Sequence, residues 1–175
     1  MYLREKLVVI LSCIFISSIG LAMPPVEFLQ SCKNSKPAND SITMTLLDGF
    51  GTTNDNEPGC RNHFDSQING QIYGAVVCDD QPYLIIANKK ISTATAKNYS
   101  MNPSVKPDIP ILRFSEWWRI NKGDKSYLCI QTSLSNTGSA ANSWQYYLVE
   151  DAFDVNKKNY NISYYFFDMN VYKHF

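Results

Sequence analysis

The sequence predicts a mainly β domain of the β-rich α+β class, in which six or seven strands form an antiparallel sandwich or curved sheet with one or two short helices. Several segments alternate apolar and polar residues with the period of two that is typical of a half-buried strand. Aromatic residues make up 13% of the 175 residues, with 11 Tyr, 9 Phe and 3 Trp, and such side chains are favoured in strands. Turn-forming segments separate the apolar runs, and no internal repeat divides the chain.

The first 22 residues have the order of features that is typical of a cleavable signal peptide. Basic residues precede an apolar run at 7–19, small residues follow at Gly20 and Ala22, and a Pro-Pro pair then interrupts any helix. A membrane anchor is the rival interpretation, but the apolar run is much shorter than the roughly 20 residues that span a bilayer. We therefore expect residues 1–22 to be cleaved and residues 23–175 to form a single globular domain, in the periplasm or secreted.

The cysteine count fits an exported domain. Cys13 lies inside the predicted signal peptide, which leaves Cys32, Cys60, Cys78 and Cys129. An even number of cysteines in an oxidising compartment predicts two disulfides. Four cysteines allow three pairings, which the sequence alone does not decide, and we take Cys32–Cys60 and Cys78–Cys129 as the working prediction. There is no C-x-x-C motif and there are only two histidines, so we expect no metal site.

The N-terminal part of the domain predicts a short helix, one strand and a long loop. Residues 24–31 begin with prolines and carry apolar side chains that suit a short helix. Residues 41–47 alternate apolar side chains with threonines, which is the pattern of a strand. Residues 48–69 are rich in Asn, Asp and Gly and show little periodicity. We interpret them as a long loop that a disulfide through Cys60 holds in place.

The middle of the domain contains a predicted hairpin and an irregular crossing. Two apolar runs, at 71–78 and 82–87, flank a turn-like Asp-Asp-Gln sequence and predict a hairpin, with 89–95 as an extension of its second strand. Three prolines within 99–110 exclude regular structure and predict an extended loop.

The C-terminal part predicts at least three further strands. Residues 126–134, 144–149 and 161–172 are apolar or alternating segments of strand length. Residues 135–143 contain mostly Ser, Asn, Gly and Ala, which predicts a flexible loop, and 151–159 form a charged turn.

The paired Trp117-Trp118 is the first candidate for partner binding. It lies in residues 111–120, which fit either a short helix or a strand. On a strand, adjacent residues face opposite sides, so one ring enters the core and the other lies near solvent. Beside Glu116 and Arg119, an exposed tryptophan would serve as an interface anchor. The alternative, in which the proline loop covers the second ring, stays open.

Two further groups are candidates for contact with a partner. Asp79 and Asp80, together with Glu150 and Asp151, could supply acidic contacts. The loop at 135–143 is a second candidate surface, because exposed loops on a rigid sheet often carry recognition.

Charge and motif content exclude several partners and cofactors. The chain has 16 basic and 16 acidic residues with no basic stripe, so we expect no nucleic-acid partner. No polybasic segment is present that would bind a membrane surface. The glycine-containing segment at 48–52 lacks the Gly-Lys-Ser/Thr ending of a phosphate-binding loop, and we expect no cofactor.

Two classes of function remain open. None of the motifs G-x-S-x-G, S-x-x-K or H-E-x-x-H occurs, so we predict no catalytic residue. A disulfide-stapled exported domain with this profile suggests a bacterial, periplasmic protein that binds another protein, as an immunity protein or inhibitor binds a toxin or cell-wall hydrolase. The alternative is a secreted enzyme or effector that acts on a wall polymer or small molecule through His63 and Asp65, with Asp48 nearby. That alternative predicts a deep pocket with at least two titratable groups.

Overall fold

Two packed β-sheets and one α-helix are formed by residues 23–53, 57–102 and 104–167, which the computed structural model describes. This confirms the predicted β-rich α+β class. The described residues contain eleven strands rather than six or seven, because part of the predicted long loop forms strands and because two strands are only two residues long. The predicted signal peptide, residues 1–22, lies outside the described residues.

The helix and strands are numbered in chain order. They are α1 (Val26–Asn34), β1 (Thr43–Leu47), β2 (Gly51–Thr52), β3 (Cys60–Ile68), β4 (Gln71–Cys78), β5 (Gln81–Ile86), β6 (Lys89–Ser92), β7 (Lys97–Asn98), β8 (Ser115–Lys122), β9 (Lys125–Ser133), β10 (Trp144–Glu150) and β11 (Ile162–Phe166). Short 3-10 helices occur at Thr93–Thr95, Leu112–Phe114 and Ser139–Asn142. Among the described residues, no helix has the length and apolar character needed to cross a bilayer.

The strands divide into a six-stranded and a five-stranded sheet. The six-stranded sheet has the order β1-β8-β9-β10-β11-β7, and the five-stranded sheet has the order β2-β3-β4-β5-β6. All neighbours are antiparallel except β11 and β7, which pair in parallel. Asp79 and Asp80 connect β4 to β5 with φ angles of 49° and 60°, as a two-residue hairpin of primed type requires. The predicted hairpin is therefore confirmed.

The six-stranded sheet is covered on both faces, and β9 shows this most directly. Every residue from Tyr127 to Ser133 is buried. Leu128 belongs to the cluster between the two sheets, whereas Tyr127 and Cys129 belong to the cluster under α1. Successive side chains of a strand point to opposite faces, so water is excluded from both sides of β9. On the helix side, the ring of Phe28 packs against that of Tyr127 with centroids 4.4 Å apart.

Residues 48–69 differ from the predicted loop, because β2 and β3 lie within them. Phe64 and Ser66 are buried, while the residues between and beside them are more exposed. The buried serine replaces an apolar residue in the alternation, and a bulge just before Phe64 shifts the register, with Asn62 at a φ of 54°. Because of these two features, the sequence of β3 does not show the regular apolar–polar alternation of a strand. Residues 111–120, which fitted either element, contain the 3-10 helix Leu112–Phe114 and most of β8.

The structure contains two disulfides, but the predicted pairing of Cys32 with Cys60 and of Cys78 with Cys129 is wrong. Cys60 bonds Cys78, its direct cross-strand partner, at a Cα–Cα distance of 4.0 Å. Cys32 on α1 bonds Cys129 on β9, at a Cα–Cα distance of 5.6 Å. The prediction failed because it treated Cys60 as part of a loop, which left its position beside β4 unrecognised. Two disulfides are typical of proteins outside the reducing cytoplasm.

Candidate functional site

A cleft of about 490 Å³ opens at one end of the sandwich. One wall comes from Thr52 at the end of β2 and from residues 62–64 of β3. The opposite wall comes from residues 108–114, which lead into β8, and from 134–136, which follow β9. Ser115 and Thr132 are cross-strand partners, so the start of β8 and the end of β9 lie at the same end of the sheet. The cleft therefore lies where the connecting segments of the two sheets meet.

The cleft is lined by equal numbers of apolar residues and of polar or charged residues. The apolar members are Phe64, Ile109, Pro110, Ile111, Leu112, Phe114 and Leu134, and the polar or charged members are Thr52, Asn62, His63, Asp108, Arg113, Ser135 and Asn136. Phe64 is 4% exposed, whereas Phe114 is 43% exposed. Of the two aromatic rings in the lining, one is therefore buried and the other is open to solvent. Polar groups placed among apolar side chains fix the orientation of a ligand in a binding pocket, and here half of the lining residues are polar or charged.

The end of the predicted proline loop, residues 108–110, forms part of this wall, and hydrogen bonds hold the segment in place. The amide of Ile111 donates to the Thr132 hydroxyl over 2.9 Å, which fixes the loop to β9. The Tyr147 hydroxyl donates to the carbonyl of Asp108, which fixes it to β10. Burial raises the pKa of the Tyr147 phenol well above its usual range, so this donor stays protonated. A loop with such anchors presents a preformed surface.

His63 lines the cleft, and Asp65 lies beside it. His63 Nε2 is 3.1 Å from Asp65 Oδ2, and the two side chains are 13% and 24% exposed. Gly74 on β4 permits this packing, because a Cβ there would be 2.2 Å from the Phe64 carbonyl oxygen and 2.7 Å from the Asp65 Cβ. The predicted proximity of His63 and Asp65 is therefore confirmed. Asp48 is outside the cleft lining, and its carbonyl accepts a hydrogen bond from the Ser66 hydroxyl.

The two tryptophans face opposite sides of β8. Trp117 is 1% exposed and packs between the sheets, with its ring centroid 4.8 Å from that of Phe50. Its ring is therefore a core element and not a surface anchor. Trp118 is partly buried at the edge of the cluster under α1, and its indole N–H donates to Glu116 Oε2 over 3.1 Å. Of the pair, only Trp118 is placed to touch a partner.

Glu116 and Arg119 do not form one surface with each other. Glu116 is exposed on the outer side, where its carboxylate also accepts a hydrogen bond from the Ser35 hydroxyl over 3.3 Å. Arg119 shares the inward side of β8 with Trp117, and its guanidinium carbon lies 3.8 Å from the centroid of the Phe153 ring. This cation–π packing places the Arg119 charge on an aromatic face.

The four candidate acidic residues lie at opposite ends of the molecule. Asp80 pairs with Arg61 at 2.6 Å in the β4–β5 turn. The Tyr73 hydroxyl donates to the Ala152 carbonyl, so the turn after β10 lies near the start of β4. Tyr73 and the β4–β5 turn are separated by most of β4, about 20 Å at roughly 3.3 Å per residue. No single acidic patch therefore unites these residues.

Glu150 and Asp151, at the second of these ends, both have local partners. Glu150 accepts a hydrogen bond from the Tyr127 hydroxyl over 3.2 Å, and burial together with the Glu150 carboxylate raises the pKa of Tyr127. Asp151 pairs with Lys157 at 2.7 Å. Any acidic contact from this turn would compete with those internal partners.

The sequence analysis predicted some of the residues that line the cleft but not the exposed pair at its edge. The Ser/Gly-rich loop was a predicted contact surface, and its first residues do line the cleft. Arg113 and Phe114 were not singled out, although both are exposed there. The sequence did contain a signal for these two residues, since they lie between a proline-rich loop and a strand. Side chains at such a junction lie at the end of a sheet, where they can be exposed.

Among the described residues, one trio of potential metal ligands lies within 4.8 Å, formed by Glu57, Cys60 and Cys78. Both cysteines are bonded to each other, so they offer no thiolate to an ion.

Comparisons of the chain with protein-family models, with curated proteins and with solved structures found no match. What the protein does must therefore be inferred from the cleft and its surroundings.

Proposed function

We propose that this protein is an exported bacterial, periplasmic domain that binds another protein through the end cleft, as an immunity protein or inhibitor of a toxin or cell-wall hydrolase, without catalysis of its own. The observation that carries the proposal is the cleft itself. It has an apolar floor, an exposed aromatic ring and an exposed arginine at one end of a sandwich.

The composition of the rim suits recognition of a protein segment. Phe114 can pack against an apolar side chain of a partner, and Arg113 can donate two parallel hydrogen bonds to a carboxylate. Aromatic residues and arginine are enriched among the residues that dominate binding energy at protein interfaces. A segment entering the cleft would also meet the side chains of Asn62 and Asn136.

The frame around the cleft supports tight binding because it is preformed. One disulfide ties α1 to the six-stranded sheet and the other ties β3 to β4 of the five-stranded sheet. Hydrogen bonds from Ile111 and Tyr147 hold the cleft wall against β9 and β10. A surface that is ordered before binding loses less conformational entropy when a partner docks.

The test is a binding experiment with a matched pair of double variants. The full chain is expressed for export in its native host with an affinity tag, and partners are identified after capture. The cleft variant carries Arg113→Ala and Phe114→Ala. The control variant carries Lys125→Ala and Val155→Ala, which remove an exposed cation at the start of β9 and an exposed apolar residue in the turn after β10, both away from the cleft.

We expect the wild type and the control to bind the same protein, and the cleft variant to bind it at least about ten-fold more weakly. Purified partner and titration calorimetry give the affinities. A partner that binds all three proteins equally well would refute the cleft as the site. Absence of any specific partner would refute the binding function.

A second candidate function is hydrolysis of a wall polymer or small molecule, and the His63–Asp65 pair favours it. A carboxylate beside an imidazole can hold it in one orientation, so that His63 could act as a general base on a water in the cleft. Incubation with purified peptidoglycan, followed by chromatography of released fragments, tests this activity. Release that His63→Gln abolishes would establish hydrolysis, and no release by the wild type would reject it for this polymer.

A further inference from the structure

The two disulfides differ in their access to solvent. Cys32 and Cys129 are both 0% exposed, whereas Cys60, the first residue of β3, and Cys78, the last residue of β4, are partly exposed. The residue before Cys60 and the residue after Cys78 are also exposed. Exposed disulfides are in general more labile towards thiols than buried ones. A dissolved thiol can therefore reach the Cys60–Cys78 bridge much more readily than the Cys32–Cys129 bridge.

A lysine lies beside one of the two exposed sulfurs. Lys90 on β6 places its Nζ 3.8 Å from Cys78 Sγ, and it also pairs with Glu57. The Glu57 carboxylate lies within 4.8 Å of both sulfurs, so its charge acts on both of them. When a disulfide is cleaved, the sulfur that is better stabilised as a thiolate leaves faster, and a nearby ammonium group stabilises a thiolate. Cys78 is therefore the better leaving group, and Cys60 is the sulfur that a thiol attacks.

The start of β3 depends on this bridge for its attachment to β4. Before the bulge, ladder pairs at Cys60 and Arg61 join the two strands, and regular pairing resumes at Phe64. A backbone hydrogen bond from the turn after β4 and an ion pair between Arg61 and Asp80 add to these pairs. The ion pair is exposed, and exposed ion pairs contribute little to stability. Residues 62–64 follow directly and line the cleft, so the bridge helps to hold one cleft wall in place.

We propose that the Cys60–Cys78 disulfide is a thiol–disulfide exchange site that controls the order of this cleft wall. The co-reactant is a reduced protein dithiol. One of its thiolates attacks Cys60 Sγ, so that an intermolecular disulfide forms, the Cys60–Cys78 bond breaks and Cys78 leaves as a thiolate. The second thiolate of the dithiol then attacks its own neighbour in the mixed disulfide and releases the Cys60 thiolate. Both cysteines take up protons, so this protein gains two electrons and two protons while the dithiol becomes a disulfide.

Reduction at this site is expected to be local and reversible. β3 and β4 stay paired from Phe64 to Ile68, so the two thiols remain close enough to form the bond again. The buried Cys32–Cys129 bridge stays closed, and it joins residues separated by 97 positions, so it continues to restrict the unfolded chain. Neither step depends on what the cleft binds.

Limited reduction of the exported full-length protein tests which bridge reacts. The folded protein is incubated with dithiothreitol, samples are quenched with N-ethylmaleimide, and peptide mapping gives the fraction of each disulfide that has opened. We expect Cys60–Cys78 to open at least about ten-fold faster than Cys32–Cys129. Equal rates, or faster opening of Cys32–Cys129, would overturn the proposal.

Glutathione identifies the attacked sulfur, because a monothiol leaves the mixed disulfide in place. N-ethylmaleimide added during the reaction alkylates the cysteine that is released. We expect peptide mass spectrometry to find glutathione on Cys60 and N-ethylmaleimide on Cys78. The reverse labelling would contradict the assignment of Cys78 as the leaving group.

Variants of Lys90 test its effect on the leaving sulfur. Lys90→Gln should slow the opening of Cys60–Cys78 at least about two-fold, and Lys90→Arg, which keeps the charge, should react at the wild-type rate. Lys125→Gln removes an exposed cation from β9 of the other sheet and is the matched control, also at the wild-type rate. Opening of Lys90→Gln at the wild-type rate would refute the role of Lys90.

Hydrogen exchange tests whether the bridge controls the cleft wall. Amides of residues 61–64 are compared between the disulfide form and protein in which Cys60 and Cys78 have been opened and alkylated, with circular dichroism to confirm folding. We expect faster exchange at 61–64 in the opened form and unchanged exchange in β9. The double variant Cys60→Ala with Cys78→Ala, which carries no bulky adduct, should show the same increase. Exchange at 61–64 that is unchanged, or that increases only in the alkylated protein, would show that the bridge does not control the wall.

Discussion

The disulfide between Cys32 and Cys129 should contribute more to stability than the one between Cys60 and Cys78. The first joins residues separated by 97 positions and the second joins residues separated by 18. A cross-link restricts the unfolded chain more strongly when it closes a longer loop. The perturbation that tests this is a pair of double variants, Cys32→Ala with Cys129→Ala and Cys60→Ala with Cys78→Ala.

The chain-entropy relation gives the expected magnitudes. At 25 °C it predicts losses of about 4.7 kcal/mol for the long loop and about 3.2 kcal/mol for the short one. Burial acts in the same direction, because Cys32 and Cys129 are both 0% exposed, whereas Cys60 and Cys78 are partly exposed. Truncation of the buried pair also leaves a cavity under α1. Since a domain is stable by only about 5–15 kcal/mol, loss of the long bridge removes a large share.

Urea denaturation followed by tryptophan fluorescence measures the free energies of unfolding, with the slope checked for two-state behaviour. Peptide mapping of the non-reduced protein provides the control, because it must yield Cys32 linked to Cys129 and Cys60 linked to Cys78. The expected order is wild type, then the Cys60/Cys78 variant, then the Cys32/Cys129 variant. A Cys60/Cys78 variant that is equally or less stable than the other would refute the loop-length reasoning.

Two further predictions concern the core. Trp117→Ala should lower the free energy of unfolding by about 3–5 kcal/mol, because it leaves a cavity between the sheets. Trp118→Ala should lower it by clearly less, because that ring is only partly buried. Urea denaturation compares the two variants, and equal losses would contradict the assignment of the two rings to opposite faces of β8. Burial, with a smaller contribution from Tyr99, raises the pKa of Tyr165 to about 12, against about 10 in an unfolded chain. The folded state therefore holds its phenol proton more tightly, so this contribution to stability is complete below about pH 10 and is lost as the pH rises through about 12. Tyr165→Phe should reduce that alkaline loss in unfolding curves measured across this range, and an unchanged pH profile would contradict it.

Much of the fold could be predicted from local patterns. Alternation predicted β1 and β9, and two apolar runs on either side of a turn predicted β4 and β5. β3 was missed, since a buried serine and a bulge interrupt its alternation. The burial of β9 on both faces follows from the position of α1 over the six-stranded sheet, and no period in the strand itself indicates which element covers its second face.

The candidate site was predictable only where its parts are neighbours in sequence. His63 and Asp65 are two residues apart on one strand, so alternation predicted their proximity, and they lie 3.1 Å apart. The cleft joins β3, the segment before β8 and the loop after β9, and these meet only because two sheets pack with their ends together. The candidate acidic residues come from two turns that are far apart in sequence, and their shared charge did not indicate that they would lie in different places.

The sequence by itself determined the β-rich class, the presence of two disulfides and the position of the β4–β5 hairpin, whereas the export that it predicts stays a prediction. Each of these depends on composition or on patterns within a few residues, where backbone geometry leaves few alternatives. The tertiary structure decided which cysteines pair, which tryptophan is buried and where a cleft opens. Those outcomes depend on which strands become neighbours and in what register, and neither is specified by any local stretch of chain.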